Sequence, residues 1–260
     1  MGALMPAIGT LVWAERTRGE LAWRETLALL ADAVALQLRV LPAQLHWRLG
    51  LPDRRRPALD PAAIRAPDSA AAKAAEAHCR EVSPPYLVNH CLRTYLWGRL
   101  LAAEWKLALD DELFYVASLL HDLGITPRYA LGSGDAPCFA VRGAAGARRL
   151  AATSGWPAER ARRLAEAITL HLNVRVGLEH GPEAHVLNAS TALDVTGLRY
   201  WEVPPESARA VVERVPRLDM KRAIWTVWKA EADRHPRCRG RFLNRWLQFG
   251  ARVRTAPFAE

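Results

Sequence analysis

The apolar run Leu113 to Leu120 ends in His121-Asp122, and this junction constrains the fold more tightly than any other feature of the chain. A helix through Phe114-Tyr115-Val116-Ala117-Ser118-Leu119-Leu120 is apolar all round and must be buried, so it carries an imidazole and a carboxylate into the interior at its end. A buried carboxylate stays ionised only beside a cation or several hydrogen-bond donors. Asp194 poses the same problem inside Ala192-Leu193-Asp194-Val195. His90, in Asn89-His90-Cys91-Leu92-Arg93, taken alone is more simply explained as a hydrogen-bonded core histidine. One solution satisfies all four at once: the helices converge, and His90, His121, Asp122 and Asp194 surround a single divalent ion.

The rest of the chain predicts an all-α protein. Alternating β-branched runs and tight Asn-Gly or Asp-Gly turns do not occur, and Ala, Leu, Arg and Glu fill nearly every segment. Between Glu20 and Leu41, Trp23, Leu27, Leu30, Val34 and Leu38 recur at three- and four-residue steps, the pattern of an amphipathic helix. Prolines and arginines make 50–67 a linker or meandering loop. Asp68 or Ser69 caps a helix to about Glu81, and Ser83-Pro84-Pro85 opens one that should run through His90 to about Leu109. Asp110-Asp111-Glu112 starts the helix that ends at His121-Asp122, before Gly124. The stretch Thr126 to Pro137 reads as a loop able to wall a nearby site. Helices follow at about Cys138 to Ser154, Pro157 to His171 and Pro182 to Gly197, with shorter ones beyond.

Composition narrows the function classes. The 260 residues are half apolar, enough to build a core without a disulfide scaffold. The formal charge of +9 favours anionic partners, but the arginines are spread out and no nucleic-acid signature accompanies them, so nucleic acid is not expected as a partner. Cys79, Cys91, Cys138 and Cys238 form no CxxC pair and read as reduced packing residues of a cytoplasmic protein. No uninterrupted apolar run approaches the length of a membrane span, and no membrane association is expected. Trp97, Trp105, Trp225, Trp228 and Trp246 lie in predicted helices and are expected in core or subunit contacts.

The order H…HD…D is that of the HD superfamily of metal-dependent hydrolases. Asn89 to Tyr95 with Gly98, His121-Asp122-Leu123-Gly124-Ile125-Thr126, Phe139 followed by Gly143-Ala144, Ala165 to Ile168 with His171, and Ala192 to Gly197 together resemble its cyanamide hydratase-like branch. The resemblance spans about Pro84 to Tyr200 and implies a helical bundle around a metal held by His90, His121, Asp122 and Asp194. It implies one divalent ion, zinc first, with iron, manganese or cobalt as the other candidates. Three parts are expected: an N-terminal helix and linker at 1–67, a metal-binding core at 68–204, and C-terminal helices packed on it at 205–260.

The expected chemistry is attack of a metal-activated water on a small molecule, with hydration of cyanamide or a related nitrile as the leading case. A phosphohydrolase of nucleotides or phosphate esters is the alternative, and a non-catalytic ligand-binding module the second. His171 is the candidate proton relay or substrate donor, against a helix-capping role. Arg93, one turn beyond His90, could orient a carboxylate or substrate, against a plain salt bridge. His171, Arg93 and Asp122 thus form the expected catalytic set. Thr126 and Asp135 are placed at the pocket border. His180 and His185 fit a second metal poorly, since nine residues put His185 on nearly the opposite helix face from Asp194. Leu21 to Leu41 form a candidate dimerisation face.

Overall fold

Helices account for all the regular structure in the computed structural model, which describes residues 6–50, 60–130 and 137–260; no strand occurs among them. In chain order they are α1 (Leu11–Thr17), α2 (Trp23–Arg48), α3 (Ala70–Val82), α4 (Pro85–Glu104), α5 (Asp111–Leu120), α6 (Pro127–Ala130), α7 (Phe139–Thr153), α8 (Ala158–Leu170) and α9 (Pro182–Thr196). After them come α10 (Pro205–Arg214), α11 (Met220–Arg234), α12 (Arg239–Trp246) and α13 (Phe249–Arg254). Local signals explain the starts: the Ser69 hydroxyl accepts from Ala72 N, the Asp110 carboxylate accepts from Leu113 N, and Pro85 and Pro182 stand in first turns. Ser83 does not cap α4, because Pro84 takes the cap position itself. That helix also stops at Glu104, short of the expected Leu109.

The main core is shared by α3, α4, α5, α7, α8 and α9. Within it α5 is buried along its whole length, as its sequence demands. Helix α9 is buried nearly all round and runs against α4. The two approach closely at Gly98, where an added Cβ would lie 2.1 Å from Phe114 Cζ and 3.0 Å from Val186 Cγ1. A second apolar cluster forms beneath α11, from Ile125, Phe139, Val195, Ile224 and Trp228. The C-terminal helices therefore contribute core to the centre of the molecule.

Beyond His121 the chain does not continue as α-helix. Asp122 leads into a 3-10 turn over Leu123–Ile125, braced against the start of α7. At Gly124 an added Cβ would stand 1.8 Å from the Phe139 carbonyl oxygen, so only glycine lets the turn and α7 meet. The Arg142 guanidinium donates to Gly124 O (2.9 Å) and pairs with buried Glu231 of α11 (2.9 Å), tying turn, α7 and α11 together. The expected loop after Thr126 holds the short α6; Asp135 lies outside the described residues.

Helix α2 departs most from its expectation. It is longer, running through Pro42 to Arg48, and of the predicted apolar stripe Trp23, Leu27, Val34 and Leu38 are exposed. Leu29 and Val40 are its buried residues. By length and mean hydropathy alone (1.5 over the most apolar window) it would suffice for a membrane span, but Asp32 and Arg39 interrupt the apolar run.

Gly124→Ala is expected to cost about 3 kcal/mol, because a backbone carbonyl cannot move aside as a side chain can. A lowered urea midpoint at unchanged m-value would show it; a midpoint within error of the parent would contradict the packing described.

Candidate metal centre

Three elements deliver the central residues. The first two turns of α4 carry His90, the end of α5 carries His121, and the first residue of the turn carries Asp122. His90 Nε2 and His121 Nε2 stand 3.1 Å apart, and Asp122 Oδ2 lies 3.5 Å from the first and 3.3 Å from the second. All three residues are buried.

The hydrogen bonds behind this triangle fix the imidazole tautomers. His90 Nδ1 donates to Asp194 Oδ2 (2.8 Å), and His121 Nδ1 donates to the Ser118 carbonyl (2.8 Å). Each neutral ring then points a bare Nε2 lone pair at the other and at a carboxylate oxygen. His171, at the end of α8, repeats the pattern: Nδ1 donates to the Ile168 carbonyl (2.6 Å) and Nε2 lies 3.6 Å from Asp122 Oδ1. Acceptors converge with no donor between them, an arrangement that calls for a cation. Ligand atoms bonded to one first-row ion at about 2.0–2.2 Å sit at separations of this order, so the residues fit such a group.

The titration behaviour follows from the same geometry. Burial opposes the charge on His121, yet Asp122 beside it prevails and raises its pKa. Burial likewise opposes ionisation of Asp122, but His121, His90 and His171 hold its carboxyl well below the usual range. Burial lowers His90 despite Asp194, and burial with the neighbouring His121 pushes His171 down to about 3. One proton on His121 can thus partly neutralise the metal-free cluster; a divalent ion neutralises all of it.

Asp194 stands outside the triangle, whereas the sequence expects it as a fourth ligand. Its carboxylate lies behind His90. There it accepts from Arg93 Nε (2.8 Å) and Nη2 (2.9 Å), from Trp97 Nε1 (2.7 Å) and from His90 Nδ1. Arg217 Nη1 lies 3.5 Å from Oδ1 and donates to the Asp194 carbonyl (3.0 Å). Burial opposes its ionisation, but Arg93, His90 and Arg217 keep the group a carboxylate. Its buried charge is therefore met by guanidinium groups, and its structural effect is to orient His90.

Arg93 meets the first of the partners expected for it, a carboxylate. It is fully buried, donates also to the Val215 and Pro216 carbonyls, and reaches no cavity wall, so it positions Asp194 rather than touching substrate. His171 does face the cavity, together with His90, His121 and Asp122. Thr126 does not: its hydroxyl donates to Leu123 O (2.7 Å) and closes the turn. His185 lines the cavity with its Nδ1 donating to Val176 O (2.6 Å), and His180 sits in a 3-10 turn beside Glu179.

Sequence reasoning missed Trp97 and Arg217. Trp97 lies four residues after Arg93 and seven after His90, a helical spacing that puts all three on one face; Arg217 carries no comparable signal.

Two measurements test this geometry. Metal content after dialysis should vanish in His121→Ala but fall about 10- to 100-fold in affinity in Asp194→Asn, the size expected for a group acting through a ligand. Equal loss in both would make Asp194 a ligand after all. In chelator-treated protein, His90 and His171 have lowered pKa values, so they stay neutral when folded and take up protons on unfolding below about pH 6.5. Stability should fall as the pH drops from 7 toward 4, by up to about 1.4 kcal/mol per pH unit for each such histidine, with His121 opposing. The urea midpoint against pH reads this, and His171→Leu should flatten the slope.

A search of curated proteins finds no match to this chain. The family model of the HD domain matches residues 87–211, a span that holds His90, His121, Asp122, His171 and Asp194. Residues 87–211 are thus similar to the HD domain, generally a metal-dependent hydrolase fold, and the match supports membership of the HD superfamily.

Proposed function

We propose that this protein is a hydrolase or hydratase that adds water to an electrophilic carbon of a small molecule, with a nitrile of the cyanamide type as the first substrate to test. The observation that carries this reading is the convergence of the His90, His121 and Asp122 acceptor atoms at the floor of a cavity. These three residues would hold the ion, with zinc first among the candidates. When bound, a divalent cation acidifies a coordinated water and polarises the substrate.

The remaining steps belong to the chain itself. Asp194 and Arg93 keep the His90 ring aimed at the site, and Trp97 fixes the carboxylate from a third side. His171, neutral and with its Nε2 turned to Asp122, is placed to accept a hydrogen bond from an incoming water and to align it. Asp122 offers its second oxygen, Oδ1, on that same side.

Phosphate chemistry is the less favoured alternative. The arginines packed behind the cluster, Arg93 and Arg217, are committed to Asp194 and to backbone carbonyls, and neither lines the cavity. A site for phosphoryl groups would present cations to the substrate; those lining this cavity are Arg175, Arg199, which is paired with Glu202, and Arg252, which donates to the Leu247 carbonyl.

Elemental analysis of the purified protein should find about one transition metal per chain. A screen of cyanamide, alkyl and aryl nitriles, and nucleotides should give turnover with the nitriles, abolished in Asp122→Asn. Phosphate release from nucleotides with no hydration of any nitrile would select the alternative.

A further inference from the structure

The cavity above the metal centre has a volume of ≈ 530 Å³, in the range of about 300–1,000 Å³ that encloses a drug-sized molecule, whereas cyanamide has three heavy atoms. Its walls are largely apolar. Leu30, Val34 and Val40 of α2 form one side, and Ile224, Trp228 and Leu247 from the C-terminal region contribute to the rest.

Many of the polar side chains on these walls are spent within the protein, Arg175 and Gln248 being the ones that add polarity to the lining. The Asn188 amide donates to the His171 carbonyl (3.0 Å) and the Asn173 carbonyl (2.7 Å). Gln37 donates to Gln44 (3.0 Å), and Arg199 donates to Glu202 (2.7 Å). The metal end differs, with Asp122 and the Nε2 atoms of three histidines turned into the space. Val34 of α2 and Trp246 of α12 line the cavity and are also 60% and 48% exposed, so the apolar wall reaches the protein surface at these two helices.

We infer that the substrate is an amphiphile: a polar reactive head at the His121–Asp122 end joined to an apolar body of several carbons lying along α2. This rests on the hydrolase reading of the same centre and gives it a substrate class. A small polar substrate would leave water against most of this wall, while an alkyl or aryl body removes that contact. Helix α2, outside the matched HD domain, then acts as the specificity wall of the site.

Alkyl hydroxamates separate the two readings, because the head chelates a metal and the tail samples the cavity. Zinc-loaded protein is titrated calorimetrically with aceto-, butano-, hexano- and octanohydroxamate. Affinity should rise about fourfold per methylene, the gain of burying each CH₂. Ala33 of α2 lines the cavity; in Ala33→Trp the chain-length gain should collapse while acetohydroxamate binds as before. Equal affinity across the series, with acetohydroxamate bound, overturns the amphiphile and leaves the metal centre standing. No binding of acetohydroxamate removes the metal reading and the inference with it. An undiminished gain in Ala33→Trp overturns the α2 wall; the series on the parent protein decides the amphiphile should that variant fail to fold.

Discussion

The Asp194 carboxylate, held by the Arg93 guanidinium and tied to His90 Nδ1, is the interaction on which the rest of the centre depends. Both Asp194 and Arg93 are fully buried, so the pair exists only because each neutralises the other and backbone carbonyls and Trp97 take up the remaining hydrogen bonds. Its consequence is directional. With Nδ1 committed to a carboxylate, the proton of His90 is placed and the Nε2 lone pair has one direction left, toward His121 and Asp122. The Ser118 carbonyl does the same for His121, and the Ile168 carbonyl for His171. Three imidazoles are thereby set as acceptors around one carboxylate.

The turn after His121 completes that placement. A helix continued past His121 would swing Asp122 about 100° around the axis, away from its neighbour. The 3-10 turn, closed by Thr126 and pinned by the Gly124 contact with α7, puts the carboxylate on the same side as both Nε2 atoms. The Arg142–Glu231 pair connects this turn to α11, so the C-terminal helices stiffen the metal site as well as wall its cavity. Helix α2 shows the opposite use of apolar residues: it buries little, faces outward over much of its length, and gives its inner edge to the cavity.

Much of this was legible in the sequence because it follows from local rules. The absence of strand signals, the caps at Ser69 and Asp110 and the prolines at 85 and 182 fix a helical chain and most of its boundaries. The apolar run into His121-Asp122 forces a buried imidazole and carboxylate, and the matched HD domain covers all the residues singled out as ligands. Trp97 could have joined them by its spacing from His90 and Arg93.

Other features depend on distances between segments far apart in the chain. That a buried Asp194 needs positive charge is a statement about its own surroundings, and sequence fixes it; whether a metal or an arginine supplies the charge depends on where α4 lies against α9, which packing decides. Arg217, more than twenty residues beyond Asp194, is brought in by the segment before α11. The same holds for α2, whose three- and four-residue periodicity identifies an apolar face without naming what that face meets. Periodicity and capping act over a few residues and are carried by the chain itself, whereas the partner of a buried charge and the lining of a cavity are set by contacts that exist only once the helices have packed.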